Sequence, residues 1–141
     1  MAINFATEDI KFNLPQKLRL KRWITRVIAD NGGRVGEVCY LFCSDAHLLT
    51  INQTYLDHDT YTDIITFDYV EGNRISGDIL ISIERVRENA ETFNVSFEQE
   101  LHRVIIHGVL HLLGQGDKTP VEAKQMRSRE EQALALWETL K

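Results

Sequence analysis

Cysteine is scarce in this chain of 141 residues: it has Cys39 and Cys43, both in the run EVCYLFCSD. Read as a strand, that run turns both thiols to one face, about 13 Å apart at a rise of about 3.3 Å per residue. A disulfide cannot span that gap. Two reduced thiols in the core are therefore expected, rather than a redox or metal pair. An apolar leader is lacking as well. The opening MAINFATEDIKF carries two acids and no hydrophobic stretch of the secretory kind, so a cytoplasmic protein is expected. Long hydrophobic runs are missing too: the longest, around residues 104 to 113, is broken by histidine and is far short of the roughly 18 residues of a membrane span. No membrane partner is expected. Repeats, low-complexity tracts and linkers are absent, and a chain of this length reads as one domain over residues 1–141, able to bury its own core.

Net charge is −5, which taken alone disfavours a nucleic-acid partner. The charge is unevenly spread, however. From Lys11 to Arg34 there are seven bases (Lys11, Lys17, Arg19, Lys21, Arg22, Arg26 and Arg34) against one acid, Asp30. Such a stripe can meet phosphates even on an acidic protein. It can equally be the solvated side of a helix.

Strand and helix signals alternate along the chain. INFAT reads as a first strand. Pro15 opens an amphipathic helix whose Leu18, Trp23, Val27 and Ile28 supply the buried side, ending at the breaker Asn31-Gly32-Gly33. Residues 35 to 43 form a second strand, and Ser44 caps a helix through Leu48, Ile51 and Tyr55. LDHDTYT is a polar loop. DIITFDYV then alternates, with Ile65, Phe67 and Tyr69 on one face and Ile64, Thr66 and Asp68 on the other. A turn at Glu71-Gly72-Asn73 leads into ISGDILISI, so the two runs form an antiparallel hairpin. Ile83, Val86, Ala90 and Phe93 mark a helix by their spacing. Ser96 and Gln99 form a capping-box pattern for the next helix, and Gly114 is placed to end it in a left-handed cap. Thr119-Pro120-Val121-Glu122 is a second capping box, opening a last helix to about Thr139. The fold class is α+β, a small mixed sheet packed by helices.

The run HGVLHLLGQGD, residues 107 to 117, carries the chemistry. Histidines four apart on a helix share a face, with Cβ atoms roughly 6 Å apart, so His107 and His111 can converge on one ion. A third ligand must come from another direction. Gly114 stops the helix, Gly116 permits an unusual backbone angle, and Asp117 can swing back. The spacing H-x3-H-x2-G-x2-D is that of the metzincin zinc motif, with aspartate in place of the third histidine. The competing reading is that both histidines bond to backbone carbonyls in the core and Asp117 serves the turn. Three protein ligands leave a coordination position open, which suits a catalytic metal. Zinc peptidases place glutamate directly after the first histidine as general base; here Gly108 stands there, so proteolysis is not expected. Gly108 also lets another element or a substrate approach the helix.

These residues resemble the H-G-x-L-H-L-x-G-x-D-H signature of the YbeY endoribonucleases, the ribosomal RNA maturation factors of bacteria. TDIITF (62 to 67), GDILIS (77 to 82) and SDAHLLTINQTY (44 to 55) resemble further segments of that family, in the same order and spacing from about residue 35 to 132. The resemblance implies a zincin-like single domain with the metal site on a helix of the C-terminal half. It implies one Zn2+ per chain, hydrolysis of single-stranded RNA, and a role in maturing the 3′ end of small-subunit ribosomal RNA and in ribosome quality control. Implied partners are single-stranded or ribosomal RNA and the small subunit or its proteins.

The metal ligands carry over as His107, His111 and Asp117, the last at a position where the family usually has histidine. Aspartate is harder and could shift preference toward iron or manganese. Placing Lys118 at the ligand position instead needs an insertion, and a protonated lysine is a poor ligand. The arginine the family carries after the helix tyrosine corresponds here to Leu56, so either another cation serves near the RNA, with Arg34 or the basic first helix (Lys17, Lys21, Arg22, Arg26) as candidates, or activity is weaker in this protein. Asp63 and Asp78 are the candidate general bases, and His58 could act on substrate. His47, His102, Trp23 and Trp137 are assigned to structure. Two rival readings remain: a non-catalytic ribosome- or RNA-associated factor with a structural metal, and a small-molecule metal hydrolase or iron enzyme.

Overall fold

Period-two alternation in four short runs produces a four-stranded sheet: β1 (Ala2–Thr7), β2 (Arg34–Cys43), β3 (Ile64–Asp68) and β4 (Arg74–Ser82). The computed structural model describes residues 2–56 and 62–140. Strand order is β1-β2-β4-β3, with β1, β2 and β4 mutually parallel and β3 antiparallel to β4 at one edge. Among the described residues, five helices complete the α+β fold: α1 (Lys17–Asp30), α2 (Asp45–Leu56), α3 (Ile83–Phe93), α4 (Phe97–Leu112) and α5 (Pro120–Thr139). The polar loop expected before β3, with His58, lies outside the described residues apart from Leu56 and Thr62.

Alternation assigns each sheet face. Val38, Tyr40, Phe42, Ile79 and Ile81 face the main core with α1, α3, α4 and α5, whereas Leu41, Cys43, Ile65, Phe67 and Leu80 face the smaller cluster under α2. Two side-chain hydrogen bonds tie the layers. Tyr40 Oη donates to the Ile105 carbonyl (2.9 Å), joining β2 to α4, and Trp23 Nε1 donates to the Ala133 carbonyl (2.7 Å), joining α1 to α5. Trp137 meets both Trp23 and His102 edge to face between these helices.

Most sequence signals reappear as geometry, with two corrections, at Leu18 and Gly116. Leu18 is 78% exposed: it lies off the stripe of Leu20, Trp23, Ile24, Val27 and Ile28, which repeats every three to four residues. Phe93, at the last turn of α3, and Tyr55, near the end of α2, also face outward. Gly116 does not take a positive φ; a Cβ there would instead run into the Glu122 carboxylate.

Candidate metal centre and cleft

The helix that carries the histidines is held at both ends. Ser96 accepts a hydrogen bond from the Gln99 amide at its start (3.0 Å). At its end Gly114 adopts φ +96°, and the Gly114 and Gln115 amides return to the carbonyls of His111 and Leu110 (both 2.9 Å). That is the paired closure that satisfies terminal carbonyls and reverses the chain. Four residues later Thr119 and Glu122 cap each other's amides, with Pro120 in the first turn, and α5 begins. Asp117 therefore sits in a short link closed on both sides.

Reversal of the chain brings the three expected ligands together. Asp117 Oδ2 lies 3.4 Å from His107 Nε2 and 3.4 Å from His111 Nε2. One ligand atom from each residue can be chosen so that all lie within 4.8 Å of one another. Two donors about 2.05 Å from a shared ion at a tetrahedral angle are about 3.3 Å apart, so the spacing fits a small divalent cation. The donor chemistry fits as well. His107 Nδ1 is occupied by Glu130 Oε2 at 2.5 Å, and donation from Nδ1–H leaves the Nε2 lone pair facing Asp117. Acceptor facing acceptor at that distance calls for a cation or a proton between them.

Around the histidines runs a cleft of about 760 Å³, whose walls include Asn52, Leu56, Thr62 to Thr66, Asp68, Arg103, Val104, Leu112 and Lys118. The sheet wall is placed by Gly108: a Cβ there would stand 2.9 Å from Ile79 Cγ2 and 3.1 Å from Ile64 Cδ1. The close approach serves the sheet, and it draws α4 down onto β4 and β3 so that the histidines look along the β3 edge.

Sequence reasoning did not single out two side chains that shape this site. Glu130 is 2% exposed, although it lies in α5 among the buried Met126, Ala133 and Trp137. A carboxylate inside an apolar stripe of spacing four, three and four was the available signal. Arg103, one turn before His107, lies 3.2 Å from Glu130 and 2.6 Å from the buried Glu100, and 3.8 Å from Asp63. Burial raises the Glu130 carboxyl, but His107 and Arg103 outweigh it and hold the group below its usual range. Asp63 goes the other way: burial raises it, and Arg103 and His107 offset only part of that.

Not every expected residue reaches the cleft. Asp63 and Leu56 line it. Asp78 alternates with Ile79, which faces α4, so Asp78 lies on the opposite sheet face and borders a separate cavity with Cys39, Tyr55, Phe67 and Tyr69. Arg34 is at the other end of β2, with its Nε 3.2 Å from Asn73 Oδ1. Lys17 and Arg22 line a shallow cavity beside Leu14 and Leu18, Arg26 pairs with Asp30, and Lys21 is half-buried on the same helix. None of these borders the metal centre. Among the described residues, the cations that line the cleft are Arg103, committed to carboxylates, and the exposed Lys118.

The description of the endoribonuclease YbeY family matches residues 2–138. Proteins named endoribonuclease YbeY are similar over nearly the whole chain. That of Bacteroides fragilis is 53% identical over 136 residues, covering 96% of this chain and 98% of its own. That of Phocaeicola vulgatus is 54% identical over 134 residues (95% and 97%), and that of Flavobacterium johnsoniae 49% over 135 residues (96% of each). The solution structure of TM1509 from Thermotoga maritima superposes with a TM-score of 0.66 at 28% identity, covering 98% of this chain and 93% of that one.

Proposed function

Because this chain belongs to the endoribonuclease YbeY family, we propose that it cleaves single-stranded RNA at a divalent metal held by His107, His111 and Asp117, and that its substrate is ribosomal RNA near the small-subunit 3′ end. The observation that carries the reading is the convergence of those three ligand atoms beside an open cleft. A cation in that position supplies Lewis acidity, acidifying water and polarising a phosphoryl oxygen. Zinc is the metal proposed; the single carboxylate in the set leaves iron or manganese as the alternative.

The remaining work belongs to side chains of the cleft. Glu130 holds the Nδ1 proton of His107, so Nε2 stays available. Gly108 replaces the glutamate that a peptidase would use, and Asp63 is the partly buried carboxylate on the facing wall. Burial raises its affinity for protons, which suits it to accept one from an attacking water. Lys118 at the rim takes the part of the cation missing at Leu56, meeting a phosphate of the bound strand. Contact of a longer RNA with Lys17, Lys21, Arg22 and Arg26 belongs to the same proposal and lies away from the scissile bond.

No helix among the described residues is long and apolar enough to cross a membrane. A cytoplasmic location beside the ribosome's small subunit follows from the proposed substrate. The test combines metal analysis with cleavage. Protein purified without added metal should hold close to one equivalent by mass spectrometry and cut single-stranded RNA, sparing duplex RNA and single-stranded DNA. Asp117→Ala should lose both metal and cleavage. A folded wild-type protein that takes up no metal, or holds it and leaves RNA intact, refutes the reading.

A further inference from the structure

We propose that Arg103 and Glu130 form a buried clamp that positions His107 for the metal, a role that rests on reading His107, His111 and Asp117 as ligands. Glu100, Arg103 and His107 follow one another on α4 at spacings of three and four, so they share one helix face. Arg103 grips Glu100 with two donors (Nε 2.9 Å, Nη2 2.6 Å) and reaches across to both oxygens of Glu130 through Nη1 (3.2 and 3.4 Å). The same guanidinium lies 3.8 Å from Asp63 on the sheet side of the cleft. One side chain thus spans α4, α5 and the approach to β3.

Stability alone does not account for this arrangement. Two carboxylates at 2% exposure cost heavily in desolvation, and a buried ionic cluster is often no more stable than apolar residues of the same shape. The geometry is what the cluster supplies. Glu130 Oε2 receives His107 Nδ1 at 2.5 Å, which fixes both the tautomer and the ring plane, while Arg103 fixes Glu130. The formal charge of Glu100, Glu130 and Asp63 against Arg103 is −3 + 1, or −2, before Asp117 is counted. That surplus favours a divalent cation at the neighbouring ligands.

Arg103 and Glu130 are positioning residues and touch no reacting atom, so the decisive readout is metal affinity. Zinc would be titrated into full-length wild type, Glu130→Gln, Arg103→Lys and Trp23→Phe in competition with a chromogenic chelator, beside the visible spectrum of the Co2+ forms and thermal melts. The clamp predicts that Glu130→Gln weakens zinc roughly 10- to 100-fold and alters the cobalt bands. Arg103→Lys weakens it too, because a lysine cannot serve several carboxylates with a planar fork. Trp23→Phe, which removes a hydrogen bond between α1 and α5, lowers the melting temperature and leaves zinc affinity unchanged. Variants that melt early yet bind zinc as wild type does would reduce the clamp to a structural element and overturn the proposal. If Arg103→Lys does not fold, Glu130→Gln decides alone. Wild-type protein that binds neither metal overturns the ligand assignment itself, a failure distinct from tight binding in every variant.

Discussion

Acid should weaken this protein through a buried histidine that is not one of the candidate ligands. His102 is 4% exposed, with its ring 4.3 Å from Trp137 and 5.7 Å from Trp23, and the Arg19 guanidinium lies over the Trp137 ring. Burial, and secondarily the Arg19 charge, push its pKa down from 6.5 to about 4. The folded state therefore keeps His102 neutral while the unfolded chain takes up a proton below about pH 6.5. Stability is lost as pH falls from about 6.5 toward 4, and no further loss from this group follows below that. A displacement of about 2.5 pH units at about 1.36 kcal/mol each corresponds to about 3 kcal/mol in full, of which about 2 kcal/mol appears between pH 7 and 4.5. The assay is urea unfolding followed by circular dichroism across that range, in chelator, for wild type and His102→Leu. Every other ionisable group is common to both proteins, so the difference between the two curves isolates His102. Parallel curves from pH 7 to 4.5 would refute the assignment of a buried neutral imidazole.

Two further outcomes follow from packing. Gly108→Ala should destabilise by about 1 kcal/mol: overpacking against the Ile79 γ-methyl costs about 1–3 kcal/mol, and alanine returns about 1 kcal/mol of helix propensity. A urea midpoint equal to or above wild type would contradict the close α4–sheet contact. A thiol reagent at pH 8 should modify Cys39 readily and Cys43 only on unfolding, because Cys43 is fully buried and its thiol is pushed up to about 12 by desolvation and nearby acids. Two equivalents reacting at one fast rate would contradict that burial.

What the sequence made legible was local. Capping residues, glycines and alternation marked where elements begin and end, because Ser96, Gly114 and Thr119 each act on amides or carbonyls within a few residues of themselves. The ligand set was legible for the same reason: His107, His111 and Asp117 are separated by one helical turn and one short link. The supporting side chains were not. Glu130 and Arg103 acquire their roles from the crossing of α5 over α4, which no spacing within either helix states. Asp78 resembled Asp63 as a strand carboxylate, and only the facing of Ile79 toward Gly108 separates them. Leu18 shows a smaller version of the same difficulty. Its hydrophobicity suggested burial, yet its angular position on α1 puts it outside the stripe.

The chain leaves the ribosome from its N-terminus, and that order bears on the metal centre. Every strand of the sheet, including the β3 wall of the cleft, is complete by Ser82, before the first residue of α4 has been added. The ligands then appear between His107 and Asp117, and Glu130 emerges last, so contacts at the centre close over short loops while pairing of β1 with β2 closes a long one. Short-range closure is the faster kind. Any nascent chain that has not yet exposed α5 holds all three ligands without Glu130 to set His107, and without the helix whose Ala133 carbonyl receives Trp23. The centre is thus completed late in synthesis, when α5 brings Glu130 to His107.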